Sequence, residues 1–374
     1  MNQNIGELNP SQRILLGPGP SNVHPRVYRA LATPLLGHLD PEFLQVMDEI
    51  QTMLRQVFQT QNPFTIAVSG TGSAGMEAAL VNVIEPGDSV IVGVNGVFGN
   101  RISDIVARCG GRPVPLQQPW GEAIDPQQVE DALKKTSAVK AVALVHAETS
   151  TGVQQPLSEV GRLCQQAGAL FIVDAVTSLG GVPVKVDTWQ IDVCYSGTQK
   201  CLSCPPGLAP ITFSERALEL VRKRKTKVQS WYLDVTMIAD YWSDKKRAYH
   251  HTAPISMNYA LREALRLVLE EGLEARFERH KRNSFELISG LREVGLQPFV
   301  EEGYRLPPLN SVRVPAGVDE ANIRGVLLND FGIEIGGGLG DLAGKVWRIG
   351  LMGESSKMAN VVYLLAALQK ILHT

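Results

Sequence analysis

The sequence predicts an α/β fold: a large domain with a mainly parallel sheet covered by helices, followed by a smaller C-terminal α/β domain. Three observations carry this. From about Phe64 onward, short apolar runs alternate with helical patterns. The runs are continuous rather than alternating, as strands buried on both faces require. At 374 residues, the chain also exceeds what one hydrophobic core usually serves.

The opening 25 residues, with the turn cluster Gly17-Pro18-Gly19-Pro20, read as an irregular arm. Strands are expected at 89–94, 140–145, 169–174 and 192–195, and helices at 73–83, 100–109, 126–135 and 156–167. In such a sheet, ligands collect at the carboxyl ends of the strands. Beyond Pro254 a long amphipathic stretch places Leu261, Leu265, Val268, Gly272 and Leu273 near one face, with Arg262, Glu263, Arg266, Glu270 and Glu271 interspersed. It links the large domain, 26–271, to the small one, 272–374. The latter holds the glycine cluster Gly336-Gly337-Gly338-Leu339-Gly340 and a final helix with Val361, Leu364, Leu365 and Leu368. No repeat or low-complexity tract interrupts this order.

A formal net charge of -2 argues against a surface built to attract nucleic acid or anionic membrane. The basic run Arg222-Lys223-Arg224-Lys225 ends a helical stretch, where cations complement the dipole. Five scattered cysteines, Cys109, Cys164, Cys194, Cys201 and Cys204, suggest reduced thiols. Met1 to Glu7 lacks a basic start and an apolar core, and no apolar stretch approaches the roughly 20 residues that cross a bilayer. Leu372-His373-Thr374 is not a peroxisomal tripeptide. A cytoplasmic location is the expectation that remains.

Three chemistries compete for the polar residues. Gly70-Thr71-Gly72-Ser73-Ala74-Gly75 matches a dinucleotide-binding turn, but the next strand ends on Asn95, with no acid to take a ribose. Exposed amides at a helix start, with hydroxyls beside them, will hold any phosphate, so the segment reads as a phosphate cup. His146-Ala147-Glu148 with Cys201-Leu202-Ser203-Cys204 resembles a zinc-deaminase arrangement, yet the cysteine pair lacks the preceding proline, and no metal is expected. The third chemistry uses far more of these residues. The apolar run 170–173 stops on Asp174, and a second strand delivers the amine of Lys200.

An amine and a carboxylate so placed suit pyridoxal phosphate: the amine bonds the cofactor aldehyde, and the carboxylate pairs with the pyridinium nitrogen. A lone lysine is usually a solvated surface charge, so the pair carries the inference. Thr71, Gly72 and Ser73 would take the phosphate. Lys200 would then move a proton at the substrate Cα, for which its pKa must be lowered. Arg348, at the end of Lys345-Val346-Trp347-Arg348, is the best-placed fork for a substrate carboxylate.

Taken together, Ser69-Gly70-Thr71-Gly72, Glu85-Pro86-Gly87-Asp88, His146 to Gly152, Val173 to Gly181, Ser196-Gly197-Thr198-Gln199-Lys200 and Tyr249-His250-His251-Thr252 resemble the class V aminotransferases. The likeness runs from Leu15 to Leu351, and is greatest to members that pass an amino group from alanine or serine to glyoxylate, giving glycine and a 2-oxo acid. It implies a fold-type I, pyridoxal-phosphate-dependent transferase. Lys200 would hold the cofactor, with Gln199 beside it as a phosphate ligand. Asp174 would meet the pyridine nitrogen, Ser150 the ring side, and Thr71, Gly72 and Ser73 the phosphate.

Phe98 and Val176 join the cofactor-binding positions that the likeness implies. Phe98 stands where a tryptophan can stack; phenylalanine still stacks but offers no indole donor. Ser73 stands where some members have histidine. Tyr249 and Thr252 would reach the phosphate of a neighbouring subunit's cofactor, implying a homodimer with shared active sites. Arg348 would bind the carboxylate of small amino-acid and 2-oxo-acid substrates, with Gly19 nearby. A serine–glyoxylate or other small-amino-acid transaminase is the alternative. A cysteine desulfurase fits less well, because it needs a mobile-loop cysteine and Cys201 and Cys204 directly follow Lys200. A silent cofactor-binding protein has no missing catalytic group to rest on.

Overall fold

A computed structural model describes residues 6–243 and 247–372. Residues 1–5, read above for a targeting signal, and the last two residues, 373 and 374, lie outside the described residues.

Seven strands form the main sheet: β1 (Thr65–Ser69), β2 (Ser89–Val94), β3 (Arg112–Gln117), β4 (Val139–Val145), β5 (Leu170–Asp174), β6 (Val193–Tyr195) and β7 (Leu208–Phe213). Their order is β1-β7-β6-β5-β4-β2-β3. β7 runs antiparallel to both its neighbours, and the other pairings are parallel. The expected strands are present within about a residue at each end, because their continuous apolar runs are buried on both faces as read. Lys200, however, is not borne by a strand. It lies in the turn between β6 and β7, and the antiparallel return brings that turn back across the sheet's carboxyl edge.

Helix α1 (Pro41–Phe58) starts where Asp40 accepts the amide of Glu42 and Pro41 occupies the first turn, and it buries Phe43, Met47, Ile50 and Leu54. Helices α2 (Gly72–Val83) and α3 (Val97–Arg108) follow β1 and β2, so both begin at the carboxyl edge. The basic run at 222–225 serves the fold, since Arg224 donates to the carbonyls of Asn82 and Ile84 at the end of α2, both at 2.8 Å.

The amphipathic stretch is α4 (Ile255–Glu271), and α5 (Leu273–Glu293) follows across Gly272, whose φ of +82° favours glycine at the joint. A second core gathers Leu287, Leu291, Leu327, Trp347, Ile349 and Leu364 around β8 (Leu309–Arg313), β9 (Gly336–Gly337), β10 (Val346–Gly350) and α6 (Met358–Leu372). Leu16 belongs to this core, and Ile14–Leu15 pairs in parallel with Ile333–Glu334. The opening arm is thereby sewn to the C-terminal body, which lays the Gly17–Pro20 turn over Lys200.

Candidate active site

Asp174 closes β5, in register with Tyr195 on β6. Its Oδ1 accepts the Val176 amide at 2.9 Å and its Oδ2 the Tyr195 hydroxyl at 3.0 Å. Burial pushes the carboxyl up to about 7, against the pull of these two donors. Such a carboxylate suits a cationic ring nitrogen, because a positive partner restores what desolvation takes away.

The Lys200 Nζ donates to the Pro18 carbonyl. Gly19, at φ +100°, is packed so closely that a Cβ there would fall 2.7 Å from Nζ. Burial, and then the positive charge of Arg348, lower the amine to about 8. A lowered lysine pKa enlarges the free-base fraction that carbonyl capture and proton transfer at Cα require. Arg348 is buried on β10; its Nε donates to the Gly337 carbonyl at 2.7 Å and its Nη1 to the Thr149 carbonyl at 3.1 Å. Those bonds aim the guanidinium, and burial lowers its pKa to about 10.

At the other end, α2 begins with its N-cap, Thr71, making no side-chain capping bond, and Thr71 and Ser73 are exposed. Gly72 is buried against Val176 and Gly197, where a Cβ would meet Val176 Cγ2 at 3.2 Å. Gln199 places a buried Oε1 near Gly197 with no partner among the described residues. Open helix amides and the exposed hydroxyls of Thr71 and Ser73 fit a phosphate, to which Gln199 can contribute only its amide N–H, since Oε1 is an acceptor as the phosphate oxygens are.

Ser150 and Phe98 meet through a residue whose part the sequence did not disclose. The Ser150 hydroxyl donates to Glu148 Oε1 at 2.5 Å and accepts the Val97 amide at 3.0 Å. Glu148 Oε2 accepts the amides of Phe98 and Gly99 at 3.2 and 3.4 Å. Glu148 and Ser150 thus cap α3 from a distant loop, and Gly96 must lack a side chain, since a Cβ would collide with Glu148 Cδ. The Arg101 guanidinium lies 4.8 Å from the Phe98 ring centroid.

Tyr249 and Thr252 are both exposed, with the Tyr249 ring 5.1 Å from that of His38. Between them, His251 Nε2 lies 2.7 Å from Ser69 Oγ at the end of β1. The zinc alternative finds no support: Cys201 Sγ donates to the Thr177 carbonyl, burial lifts its thiol to about 12, and among the described residues no cluster of three or more His, Cys, Asp or Glu could hold a metal. His146 is buried edge-on to Trp189, and burial lowers its pKa to about 4, which keeps it neutral.

Lys200, Asp174, Arg348, Gly19, Val176, Gln199, Ser150, Phe98 and the 71–73 cup therefore converge on one edge of the sheet, while Tyr249 and Thr252 face outward. Tyr195 and the Pro18 carbonyl also belong to the site. Only the alignment of the β5 and β6 ends could have signalled Tyr195 from sequence.

The family model for aminotransferase class V matches residues 25–343. The chain is 44% identical to the (S)-ureidoglycine–glyoxylate transaminase of Bacillus subtilis (strain 168), over 98% of this chain and 92% of that one. It is 45% identical to the alanine–glyoxylate aminotransferase of Callithrix jacchus, over 96% of this chain and 87% of the relative. The crystal structure of an alanine–glyoxylate aminotransferase from Nostoc sp. superposes with a TM-score of 0.96 at 51% identity, covering 99% of this chain and 98% of that one. With a likeness of this extent and a site whose carboxylate, amine and phosphate cup suit the same cofactor, the chain belongs to the class V aminotransferases and is a pyridoxal-phosphate-dependent enzyme.

Proposed function

We propose that this aminotransferase passes an amino group from alanine, with serine as a second donor, to glyoxylate, producing glycine and a 2-oxo acid. The observation that carries the reading is the crowding over Lys200. The Pro18 carbonyl and Gly19 lie directly on the amine, which leaves little room there for a long side chain, while burial and then the Arg348 charge lower the amine to about 8. Relatives of close to half identity are named for transfer to glyoxylate, which supports the acceptor.

In this reading, bound pyridoxal phosphate supplies an electron-withdrawing ring that acidifies the substrate Cα–H. Arg348 binds the substrate carboxylate with the N–H groups not held by Gly337 and Thr149. Lys200, with its lowered pKa, would take and return the proton at the substrate Cα, and the Pro18 carbonyl, which accepts its Nζ–H, orients the amine. Asp174, fixed by Val176 and Tyr195, would pair its carboxylate with the ring nitrogen. Phe98 would offer its ring face to the cofactor, and Ser150 a lone pair, because its proton is committed to Glu148. Thr71, Gly72, Ser73 and Gln199 hold the phosphate.

The working unit is a homodimer in which Tyr249 and Thr252 complete the partner's phosphate site. Support comes from the exposure of Tyr249, Trp231 and Tyr232, large aromatics that water alone would solvate poorly. The division near 271 draws support from the two larger cores and the Gly272 joint, with Leu16 of the arm packed into the C-terminal one. A cytoplasmic setting accords with five unpaired, buried thiols, whose burial also argues against a desulfurase nucleophile. Steady-state assays of alanine, serine and (S)-ureidoglycine against glyoxylate and pyruvate test the substrate claim. Alanine with glyoxylate is expected to give the highest kcat/KM, and an inert alanine would overturn the assignment.

A further inference from the structure

The proposed reaction makes no use of the buried cation Arg276. Arg276, in the first turn of α5, is only 6% exposed. Its guanidinium donates in three directions: Nη2 to the Cys201 carbonyl at 2.6 Å, Nε to the Gly180 carbonyl at 2.8 Å, and Nη1 to Glu271 Oε2 at 2.6 Å. Glu271, at the end of α4, also takes Arg279, which in turn donates from Nη1 to the carbonyls of Gly353 and Ser356 at 3.0 and 2.6 Å. Burying a guanidinium is costly unless each direction finds an acceptor, and here each does.

These bonds join segments that the chemistry must keep in register. Cys201 directly follows Lys200, and the Lys200 carbonyl is itself held by the Ser21 hydroxyl at 2.8 Å. Ser203, in the same turn, lies 2.9 Å from Ser21 Oγ and accepts the Glu354 amide at 2.7 Å. The segment Gly353–Ser355 closely follows β10, which carries Arg348. It lies so near that a Cβ on Gly353, at φ +52°, would fall 2.5 Å from the Cys201 carbonyl oxygen and 3.1 Å from Arg276 Nη2. The Gly353 amide also donates to His280 Nε2, one turn along α5, at 2.9 Å.

We propose that Arg276, braced by Glu271, is a positioning residue that fixes the Lys200 turn against the segment following Arg348, so that the amine and the carboxylate fork keep a constant separation. The proposal rests on the reading that both cations act on one substrate. A planar fork is needed because three acceptors lie in different directions, which one ammonium cannot serve equally well. Arg279 shares Glu271 with Arg276 but reaches the backbone only at Gly353 and Ser356, whereas Arg276 alone of the two holds the Cys201 carbonyl, so their effects differ at the Lys200 turn.

The test uses holoenzyme variants R276M, R276K and R279M. It reads thermal stability, the pH midpoint of the bound cofactor's visible absorption change, and kcat and KM for alanine with glyoxylate. In R276M, kcat is expected to fall about tenfold or more, with the spectral midpoint displaced by about half a pH unit or more. R276K recovers part of both. R279M raises KM and leaves the midpoint in place. A folded R276M with wild-type kcat and midpoint overturns the proposal, as does an R276M indistinguishable from R279M on every readout. If R276M does not fold, R276K decides, and wild-type values there overturn it. A wild-type enzyme inactive with alanine and glyoxylate would count against the substrate reading instead, and the spectral midpoint would still test Arg276.

Discussion

The two ends of the cofactor site are built on opposite plans. At the ring end, Asp174 has both oxygens engaged, Lys200 is held by a carbonyl, and Glu148 and Ser150 satisfy each other while capping α3. At the proposed phosphate end, Thr71 makes no side-chain cap to its helix and both Thr71 and Ser73 are exposed. The ring end is thus pre-organised, with pKa values displaced before anything binds, whereas the phosphate end keeps its bonding capacity open. Chemistry demands the first arrangement and retention of the cofactor the second.

Substitutions should divide the same way. Lys200→Ala is expected to lower kcat by about 10⁴-fold with the fold intact, as read by turnover and circular dichroism. Asp174→Asn keeps the shape and removes the charge, for a kcat loss of about a hundredfold, with cofactor still bound on gel filtration. Arg348→Met should raise KM for alanine about 10- to 100-fold, the worth of a charge-assisted bond.

A change of pH sharpens the comparison further. Because the Lys200 amine is lowered to about 8 rather than raised, its reactive free base grows with pH up to that value. Capture of pyridoxal phosphate by cofactor-free protein should therefore quicken about tenfold per pH unit below 8 and level off above it, as followed by stopped-flow absorbance. The smallest effect belongs to Ser73→Ala: a cofactor Kd about threefold to tenfold weaker, with kcat unchanged at saturating cofactor. A large kcat loss in that variant would break the division between the two ends.

Much of this was legible in the sequence, for identifiable reasons. β2, β4, β5 and β6 are continuous apolar runs, and Asp174 and Lys200 stand where their chemistry needs them. β3 escaped notice because its sequence, with Pro113 and Pro115, forms a half-exposed edge. β1 and β7 were not among the expected strands, and the reversed direction of β7 is a matter of topology. Helix α1 carried its own signals in Asp40-Pro41 and a spaced apolar face, and went unassigned. Tyr195, Glu148 and Arg276 act on partners far away in sequence or across strands, so no local pattern marks them. The outward placement of Tyr249 and Thr252 is what the proposed homodimer would use.

The most direct test of the central claim is a single half-reaction. Holoenzyme mixed with alanine and no acceptor should lose its visible cofactor band and release one pyruvate per site, and glyoxylate should restore the band while yielding glycine. Borohydride treatment before alanine should fix the cofactor on Lys200, as peptide mass spectrometry would reveal. A band unchanged by alanine, or a reduced label on any other lysine, would contradict the account.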